Sequence, residues 1–361
     1  MQFSDFDFSR FSQLFRGRRS NILVLGDYCL DKYLYRFAEL DEPSVETGLT
    51  AYQIRDVRIF PGVGGTITAN LASLGAKVFC LGLCGDDGEG FELRKALRAC
   101  GADIRGLFVS SQIRTNTYMK PMTWENDRWV EMNRLDLRNA HAAPREWVQK
   151  VIDRAAEVFP KMDGMIVSDQ FTFEAGSVVT DALRKGVAQL AAAYPDKPIL
   201  GDSRAACGKY RNILVKCNAA ELLACWRERG REIAPDTEAD MREESLREAG
   251  LWLARRNRKP VMVTRGALGS LLFYKSGRAV CCREIPAIPV EPPYDVCGAG
   301  DATNAGFLLA RSRGLSLEES ALFAGVVSSI TIRKIGVTGT ASPDEVREVL
   351  KKLEGWKEKG E

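Results

Sequence analysis

The sequence has 361 residues and a formal net charge of +3, with 45% hydrophobic and 27% charged residues. This length suffices for one large α/β domain or two ordinary domains, and the composition is that of a soluble globular protein. The basic residues are scattered, which argues against a nucleic-acid-binding surface, and apolar runs stay shorter than the roughly 18 residues of a membrane helix. Ten cysteines without a Cys-x-x-Cys pair and a single histidine argue against a zinc site and indicate a reducing, cytoplasmic environment.

The first twenty residues combine phenylalanines with arginines and lack the apolar core and small-residue cleavage site of a secretory signal. We therefore expect residues 1–20 to be an N-terminal extension whose short helix packs on the domain that follows. A surface-binding amphipathic helix is the alternative.

A buried strand is predicted at residues 21–25, because this continuous apolar run ends at a Gly-Asp pair. In open α/β sheets, ligands bind outside the carboxyl ends of such strands. Asp27 and Asp31 follow this strand closely, which favours a polyol-binding role for at least one of them over a turn role. Residues 33–60 and 115–135 predict short strands that pair in a small sheet outside the main fold.

A glycine loop comes next and contains Gly62, Gly64 and Gly65. Thr66 is predicted to cap the helix after this loop, and that helix stops at Gly75. A second strand–loop–helix unit follows directly.

From about residue 145 onward, strands and helices alternate, which predicts a mostly parallel sheet covered by helices on both faces. Three acids, Asp27, Asp169 and Asp202, each follow a predicted strand, and Asn218 follows a fourth. We expect these four side chains to converge on one edge of the sheet.

The chain has no linker rich in proline, glycine or serine and no internal repeat. We therefore expect one main domain over residues 21–350, with the small sheet inserted into it. Its last helix is predicted to end at Lys352, and residues 351–361 are predicted to form a charged tail that frays.

The stretch from Gly298 to Asp301 carries the strongest chemical signal. Gly298, Ala299 and Gly300 have almost no side chain, so their backbone N–H groups can approach a ligand closely. The apolar run after them predicts a helix, whose N-terminus carries unpaired donors and about half a positive charge, which suits a phosphate. Asp301 is placed to take a proton from a hydroxyl while the amides hold the phosphoryl group. The alternative is a glycine turn in which Asp301 is merely the helix N-cap.

Two further motifs allow two interpretations each. Asn218 and Glu221 lie three residues apart at the start of a predicted helix, where they can associate with Mg²⁺, usually through water, or form a capping box. Thr264, Gly266 and Gly269 follow another predicted strand and suit either the turn beside a nucleotide pocket or a simple hairpin.

Four motifs, in order along residues 21 to about 350, resemble the ribokinase (phosphofructokinase-B type) family of sugar kinases. Residues 295–301, Asp-Val-Cys-Gly-Ala-Gly-Asp, resemble the family signature Asp-Thr-x-Gly-Ala-Gly-Asp, with Val296 where threonine is usual. Asn218 and Glu221 resemble its Asn-x-x-Glu motif. The other two motifs are the first strand with its sugar-binding aspartate, at Gly26-Asp27 and Asp31, and the nucleotide-side turn at Thr264-Arg265-Gly266.

Within this family the sequence is most similar to the heptose-phosphate kinases. The similar segments are Gly26-Asp27 with Asp31-Lys32-Tyr33, Asn70 to Gly75, Arg134-Leu135-Asp136, and Ser168-Asp169. Two positions differ: Thr66 stands where an asparagine usually contacts the sugar, and residues 170–174 lack the lysine of heptose kinases. We also expect no second, nucleotidyl-transferring domain, so the resemblance supports a sugar kinase more firmly than a heptose kinase.

The resemblance implies a ribokinase-like three-layer α/β/α domain with a mostly parallel central sheet and a small β lid that closes over the sugar. It also implies transfer of the γ-phosphoryl group of Mg-ATP to a sugar or sugar-phosphate hydroxyl, with Asp301 as base and the amides of Gly298, Ala299 and Gly300 as the anion hole. The implied sugar contacts are Asp27, Asp31, Asp169, Gly62, Gly64, Gly65 and Thr66. The implied nucleotide-side residues are Asn218, Thr264, Gly266, Gly269 and Asp295, with Glu221 at the Mg²⁺. A monovalent cation is a further candidate ligand, and the lid strands could form a homodimer face.

Two other functions stay open. One is a kinase of the same fold that acts on a nucleoside or a vitamin, although Asp31 and the lid strands favour a sugar. The other is a non-catalytic sugar or nucleotide sensor. The presence of Asp301 beside the Gly-Ala-Gly loop argues against a sensor, because a sensor needs no base.

Overall fold

The computed structural model describes residues 1–172, 176–231, 233 and 239–359. Its largest element is a nine-stranded sheet. In spatial order the strands are β16 (Ala279–Ile285), β15 (Ser270–Ser276), β14 (Val261–Thr264), β13 (Leu214–Asn218), β12 (Ile199–Ser203), β11 (Gly164–Asp169), β1 (Asn21–Gly26), β6 (Lys77–Gly85) and β7 (Asp103–Ser110). The strands from β14 to β7 run parallel, and β15 and β16 add an antiparallel edge.

The sheet is covered on both faces, because successive side chains of a strand point to opposite sides. In β1, Ile22 and Val24 belong to one hydrophobic core, whereas Leu23 and Leu25 belong to the other, and all four are fully buried. This explains why the strand is a continuous apolar run rather than an alternating one.

Ten α-helices surround the sheet in the part of the chain that the structure describes. They are α1 (Phe8–Ser12), α2 (Gly64–Ser73), α3 (Gly88–Ala99), α4 (Arg145–Val158), α5 (Asp181–Ala193), α6 (Ala219–Arg227), α7 (Ala239–Asn257), α8 (Ala299–Ser312), α9 (Leu317–Thr331) and α10 (Pro343–Lys359). Helices α2, α3, α8, α9 and α10 pack on one face, and α4, α5, α6 and α7 pack on the other. The predicted three-layer α/β/α fold is confirmed.

A second sheet of five strands lies outside the three layers. Its strands are β2 (Tyr28–Arg36), β5 (Ile54–Val63), β8 (Thr117–Glu125), β9 (Arg128–Glu131) and β10 (Leu135–Leu137). A separate pair is formed by β3 (Glu42–Pro43) and β4 (Thr50–Ala51). The predicted small sheet is therefore present, and we call its five strands the lid sheet.

The N-terminal segment packs on the helices of one face. Phe8 and Phe11 of α1 are buried, and the Phe11 ring stacks on Phe323 of α9 with 6.0 Å between centroids. Arg10 forms an ion pair with Glu319 at 2.5 Å.

The C-terminal helix is longer than predicted, because α10 passes Lys352 and continues to Lys359. Val346, Leu350 and Leu353 are buried at intervals of three and four residues. The apolar stripe thus reaches Leu353, inside the segment predicted to fray, and packs this part of the helix on the core. Residues 360 and 361 lie outside the described residues. None of the described helices combines the length and hydropathy needed to cross a bilayer.

Candidate active site

The carboxyl ends of the parallel strands gather the polar residues that the sequence placed after strands. Gly26, next to Asp27, lies opposite Ser168, and Ser168 lies opposite Asp202. Further along the same edge, Asn218 lies opposite Thr264. The predicted convergence on one edge is confirmed, and parallel register is its cause.

The N-terminus of α8 contacts this edge. Gly298 is the N-cap with φ of 76°, and a Cβ there would lie 2.8 Å from Thr338 Cγ2, so both the backbone and the space require glycine. The helix begins at Ala299, whose amide donates to the Val296 carbonyl at 3.1 Å. The Ala302 amide donates to the Gly298 carbonyl at 2.9 Å. The amides of Gly300 and Asp301 come before the first regular helical hydrogen bond, which leaves them available to an anion.

Asp301 lies half-buried in the first turn of α8 and is not the N-cap, which is Gly298. Burial and the nearby Asp202 carboxylate raise the pKa of Asp301 to about 8. Lys216 opposes that rise and Asp31 adds to it. A carboxyl group with a pKa near neutrality can accept a proton from a hydroxyl and release it again.

Lys216 and Asn304 complete this part of the site, and neither residue was predicted from the sequence. Lys216 lies opposite Asp202 in register and is 4% exposed, with its Nζ 3.5 Å from Asp202 Oδ1. The Asn304 amide donates to Asp202 Oδ2 at 2.6 Å. Two sequence features could have indicated them. Lys216 is a lysine inside the apolar strand β13, and Asn304 comes one helical turn after Asp301.

The lid sheet contributes Asp31, which lies on β2 rather than in a turn. Lys120 Nζ is 3.7 Å from Asp31 Oδ1 and 3.0 Å from the Tyr33 hydroxyl. Burial raises the pKa of Asp31, and Lys120 counteracts this effect. A Cβ at Gly62 would lie 2.8 Å from Asp31 Oδ2, so the glycine makes room for this carboxylate.

The glycine loop continues directly into α2, and the prediction that Thr66 caps this helix is wrong. The helix begins at Gly64, whose amide donates to the Asp27 carbonyl at 3.1 Å. A Cβ at Gly65 would lie 2.4 Å from the Pro61 ring, so this position also needs glycine. Thr66 is the third helical residue, and its hydroxyl donates back to Pro61 O at 3.1 Å. Its methyl group lies 3.4 Å from the place of a Cβ at Gly298, so Thr66 borders the candidate anion hole.

The Asp27 carboxylate is bound to protein donors. It accepts hydrogen bonds from the amides of Gln170 and Phe171, at 2.9 and 2.8 Å, and from the Ser177 hydroxyl at 2.8 Å. Burial and the charge of Asp169 raise the pKa of Asp27 to about 7. Asp27 therefore anchors the segment from 170 to 177, of which residues 173–175 lie outside the described chain.

Asp169 is also bound to protein partners. It forms an ion pair with Arg184 at 2.7 Å and accepts a hydrogen bond from the Tyr210 hydroxyl at 3.2 Å. Burial raises its pKa, and the Arg184 charge opposes this rise.

A cavity of about 730 Å³ opens beside the N-terminus of α8. Its lining includes Thr264, Gly266 and Gly269 at one side and Ala299 and Gly300 at the other. Gly269 has a φ of 74°, and a Cβ there would lie 2.2 Å from the Ile285 carbonyl, so the chain passes very closely here. Three of the five residues predicted for the nucleotide side thus share one cavity with Ala299 and Gly300, whereas Asn218 and Asp295 are not part of its lining.

Asn218 and Glu221 form the capping box that the sequence offered as an alternative. The Asn218 side-chain oxygen accepts a hydrogen bond from the backbone N–H of Glu221. The Glu221 carboxylate accepts one from the backbone N–H of Asn218, and both bonds are 2.8 Å long. Burial raises the pKa of Glu221, and its neighbours include Asp202 and Lys216. The described chain has no group of three or more His, Cys, Asp or Glu residues that could hold a metal ion by themselves.

The donor atoms nevertheless fit a hard cation that retains water ligands. Asp202 Oδ1 is buried without a hydrogen-bond partner, and Glu221 provides a second carboxylate nearby. Oxygen donors of this kind suit Mg²⁺, which usually binds to one or two carboxylates and substrate phosphates. Thr338 Oγ1, close to Gly298, is likewise a buried oxygen without a partner. Two residues before Thr338, the Gly336 amide donates to Asp295 Oδ2 at 3.3 Å.

These features define a class of protein. The family model of the pfkB family carbohydrate kinases matches residues 22–345. The chain belongs to this family, whose members are phosphotransferases with a sugar hydroxyl as acceptor.

The relatives include two bifunctional proteins named HldE. The chain is 30% identical over 331 residues to that of Citrifermentans bemidjiense, with 92% of this chain and 63% of the relative covered. It is 28% identical to that of Geotalea uraniireducens, with the same coverage. The chain thus spans 63% of the length of these curated relatives.

Solved structures with the same fold include two sugar kinases. Phosphofructokinase-2 from Escherichia coli in complex with potassium superposes with a TM-score of 0.68 at 18% identity, covering 93% of this chain and 99% of that one. Ribokinase of Arabidopsis thaliana with ribose and ATP gives a TM-score of 0.65 at 18% identity, covering 92% and 99%. At this identity the comparison establishes the fold alone.

Proposed function

We propose that this chain transfers the γ-phosphoryl group of Mg-ATP to a hydroxyl of a sugar or sugar phosphate. The observation that carries the proposal is the position of Asp301 at the N-terminus of α8. The lid residue Asp31 is close enough to affect its charge, and the 730 Å³ cavity begins at Gly300 beside it. A base between an acceptor side and a nucleotide side is what phosphoryl transfer requires.

In the proposed reaction, Asp301 accepts the proton of the attacking hydroxyl, and the new bond forms between that oxygen and the γ-phosphorus. The bond from the γ-phosphorus to the β–γ bridging oxygen breaks, and ADP leaves. The amides of Gly298 and Gly300 bind the phosphoryl oxygens, and the Ala299 amide can join them if it leaves the Val296 carbonyl. Most of the catalysis is positioning and electrostatic stabilisation, because phosphoryl transfer needs little covalent chemistry from the protein.

On the nucleotide side, Thr264, Gly266 and Gly269 border the nucleotide. Glu221 and Asn218 would hold Mg²⁺ through its water ligands, and the ion supplies neutralisation of the phosphate charge. A monovalent cation beside Asp295 and Thr338 belongs to the same proposal, because an unpartnered buried hydroxyl oxygen suits a cation.

On the acceptor side, Asp31 binds sugar hydroxyls while the loop from Gly62 to Thr66 shapes the pocket. Asp27 acts through the segment from 170 to 177 that it anchors, and Asp169 acts through its ion pair with Arg184. The lid sheet covers the acceptor and keeps water from accepting the phosphoryl group. Heptose 7-phosphate is the first acceptor to test, because of the motifs that resemble heptose-phosphate kinases.

The proposal also includes a homodimer through the lid and a cytoplasmic location. Val57 and Trp124 of the lid sheet are exposed large apolar side chains, at 46% and 54%. All ten cysteines are free, as a reducing compartment would keep them. Light scattering of the wild-type protein and of Trp124→Glu tests the dimer, which the substitution should dissociate.

The test of function is ADP release with Mg-ATP across a panel of pentoses, hexoses, heptose 7-phosphate, other sugar phosphates and nucleosides. Stimulation by a sugar or sugar phosphate, lost in Asp301→Asn, supports the proposal. Stimulation by nucleosides alone identifies the nucleoside kinase. ATP binding without turnover of any acceptor favours the sensor.

A further inference from the structure

The anion hole has a buried positive charge beside it that none of the roles above uses. Lys216 Nζ lies 3.1 Å from the place that a Cβ at Gly300 would occupy. The ammonium group therefore lies against the backbone of the glycine whose amide faces the phosphoryl site.

The bonding of Lys216 leaves capacity for a further acceptor. An ammonium group has three donors, yet its partner in the described chain is Asp202 Oδ1 at 3.5 Å, a loose contact for an ion pair. Asp202 is itself fixed from the other side by Asn304, at 2.6 Å, and by Gln170, at 3.2 Å. The carboxylate thus holds the ammonium in place without saturating it.

Most charges close to this lysine are negative, and the exposed Arg204 is a further cation that acts on Asp301 and Glu221. Asp202, Glu221 and Asp301 all act on Lys216 through space. In the site as described, three carboxylates face a place where the phosphates of ATP would add more negative charge. A fixed cation at this point is the complement that a developing phosphoryl charge requires.

We infer that Lys216 is a further catalytic residue, whose ammonium contacts the γ-phosphoryl oxygens during transfer while Asp202 positions it. This inference deepens the proposed function and rests on it. The competing interpretation is a buried ion pair with Asp202 that serves the fold alone.

The first experiment compares the wild type with Lys216→Met, which keeps an unbranched side chain one atom shorter and removes its charge. With saturating Mg-ATP and an active acceptor, kcat should fall by about 100-fold or more, as on removal of one oxyanion donor. Isothermal titration should show that β,γ-imido-ATP loses about tenfold in affinity while ADP changes by less than about threefold, because ADP lacks the γ-phosphoryl group. A kcat within about threefold of wild type, or equal weakening of both nucleotides, would overturn the inference.

A second variant separates catalysis from folding. Lys216→Met leaves Asp202 buried and unpaired, which can itself unfold the protein. The double variant Lys216→Met/Asp202→Asn removes both charges and should fold, as circular dichroism will report. Its kcat should stay as low as that of the single variant. If kcat recovered in the double variant, the loss in Lys216→Met would be due to the unpaired Asp202 carboxylate and not to the missing ammonium group. The inference would then fail.

The titrations also separate this inference from the proposed function. They need no acceptor, so they can be completed even when no compound of the panel is phosphorylated. In that case the proposed function has failed, and the ratio of ATP-analogue to ADP affinity alone decides on Lys216. An unchanged ratio in Lys216→Met would then refute the contact with the γ-phosphoryl group.

Discussion

The aspartates at this end of the sheet differ in how completely the protein satisfies their hydrogen bonds. Asp27 is one case, and Asp202 with the neighbouring Asp301 is the other. The Asp27 carboxylate accepts three hydrogen bonds from the segment between 170 and 177. Within the described residues the Asp301 carboxylate accepts none, and Asp202 Oδ1 beside it is buried without a hydrogen-bond partner. Asp27 and Asp202 are buried and Asp301 is half-buried, but only Asp202 and Asp301 have oxygen atoms left for a substrate, a proton or a metal ion. The comparison indicates that function lies where buried polar groups are not saturated by the protein itself.

The largest expected effect comes from the unsaturated group. Asp301→Asn should lower kcat by about 10³-fold or more, because the amide cannot accept the proton, while the affinity for Mg-ATP changes little. Steady-state kinetics and nucleotide titration check this. The matched control is Asp344→Asn, in the first turn of α10, where the side chain is 88% exposed; it should keep wild-type kcat. Near-normal turnover of Asp301→Asn would remove the base from the mechanism.

Substitution of Asp27, whose carboxylate is saturated by protein donors, should lower the stability of the protein. Asp27→Ala leaves two backbone amides and the Ser177 hydroxyl without their acceptor, so the free energy of unfolding should fall by about 3 kcal/mol. Urea unfolding measures this. Asp27→Asn keeps one oxygen for the amides and an NH₂ group for Ser177, so it should lose less than half as much. If both variants were fully stable but failed to bind the acceptor, Asp27 would be a sugar ligand.

The pH dependence separates the two groups further. The pKa of Asp301 is raised to about 8, so at lower pH the base is protonated, and kcat/KM should rise with pH through an apparent pKa near 8. The effect on stability has the opposite sign. Between about pH 4 and pH 8 the native state keeps this proton, whereas the unfolded state has lost it. The contribution of protonated Asp301 to the free energy of unfolding is therefore lost as pH rises through that window. Asp301→Asn should therefore unfold at a higher temperature than wild type at about pH 9. A rate profile that is flat from about pH 6 to pH 9 would contradict the raised pKa.

The smallest expected effect tests the acceptor side. In Gly62→Ala, the new methyl group would lie 2.5 Å from Cys29 Sγ and 2.8 Å from Asp31 Oδ2, so the Asp31 carboxylate must move. The KM for the acceptor should rise about tenfold while the KM for ATP stays unchanged. Gly88→Ala is the control, because no atom lies within 4 Å of the added Cβ. Equal changes in both KM values would indicate a general distortion instead of a displaced sugar contact.

Much of the molecule could be predicted from local sequence patterns. The continuous apolar runs at 21–25 and from residue 145 onward identified the parallel sheet, and the Gly-Ala-Gly-Asp stretch identified the loop that begins α8. These features depend on the spacing of apolar residues and on backbone freedom, which neighbours in sequence determine. The alternation at 33–60 and 115–135 identified the lid sheet for the same reason.

The tertiary structure alone decided which polar groups meet. Asp27 and Asp301 look alike in the sequence, each beside a glycine at the end or start of an element, yet the first is saturated by residues about 150 positions away and the second is not. Lys216 is one lysine among many until strand register places it opposite Asp202. Thr66 suits an N-cap by residue type, but two preceding glycines let the helix start earlier. Contacts of this kind depend on packing between distant segments, and no local pattern encodes them.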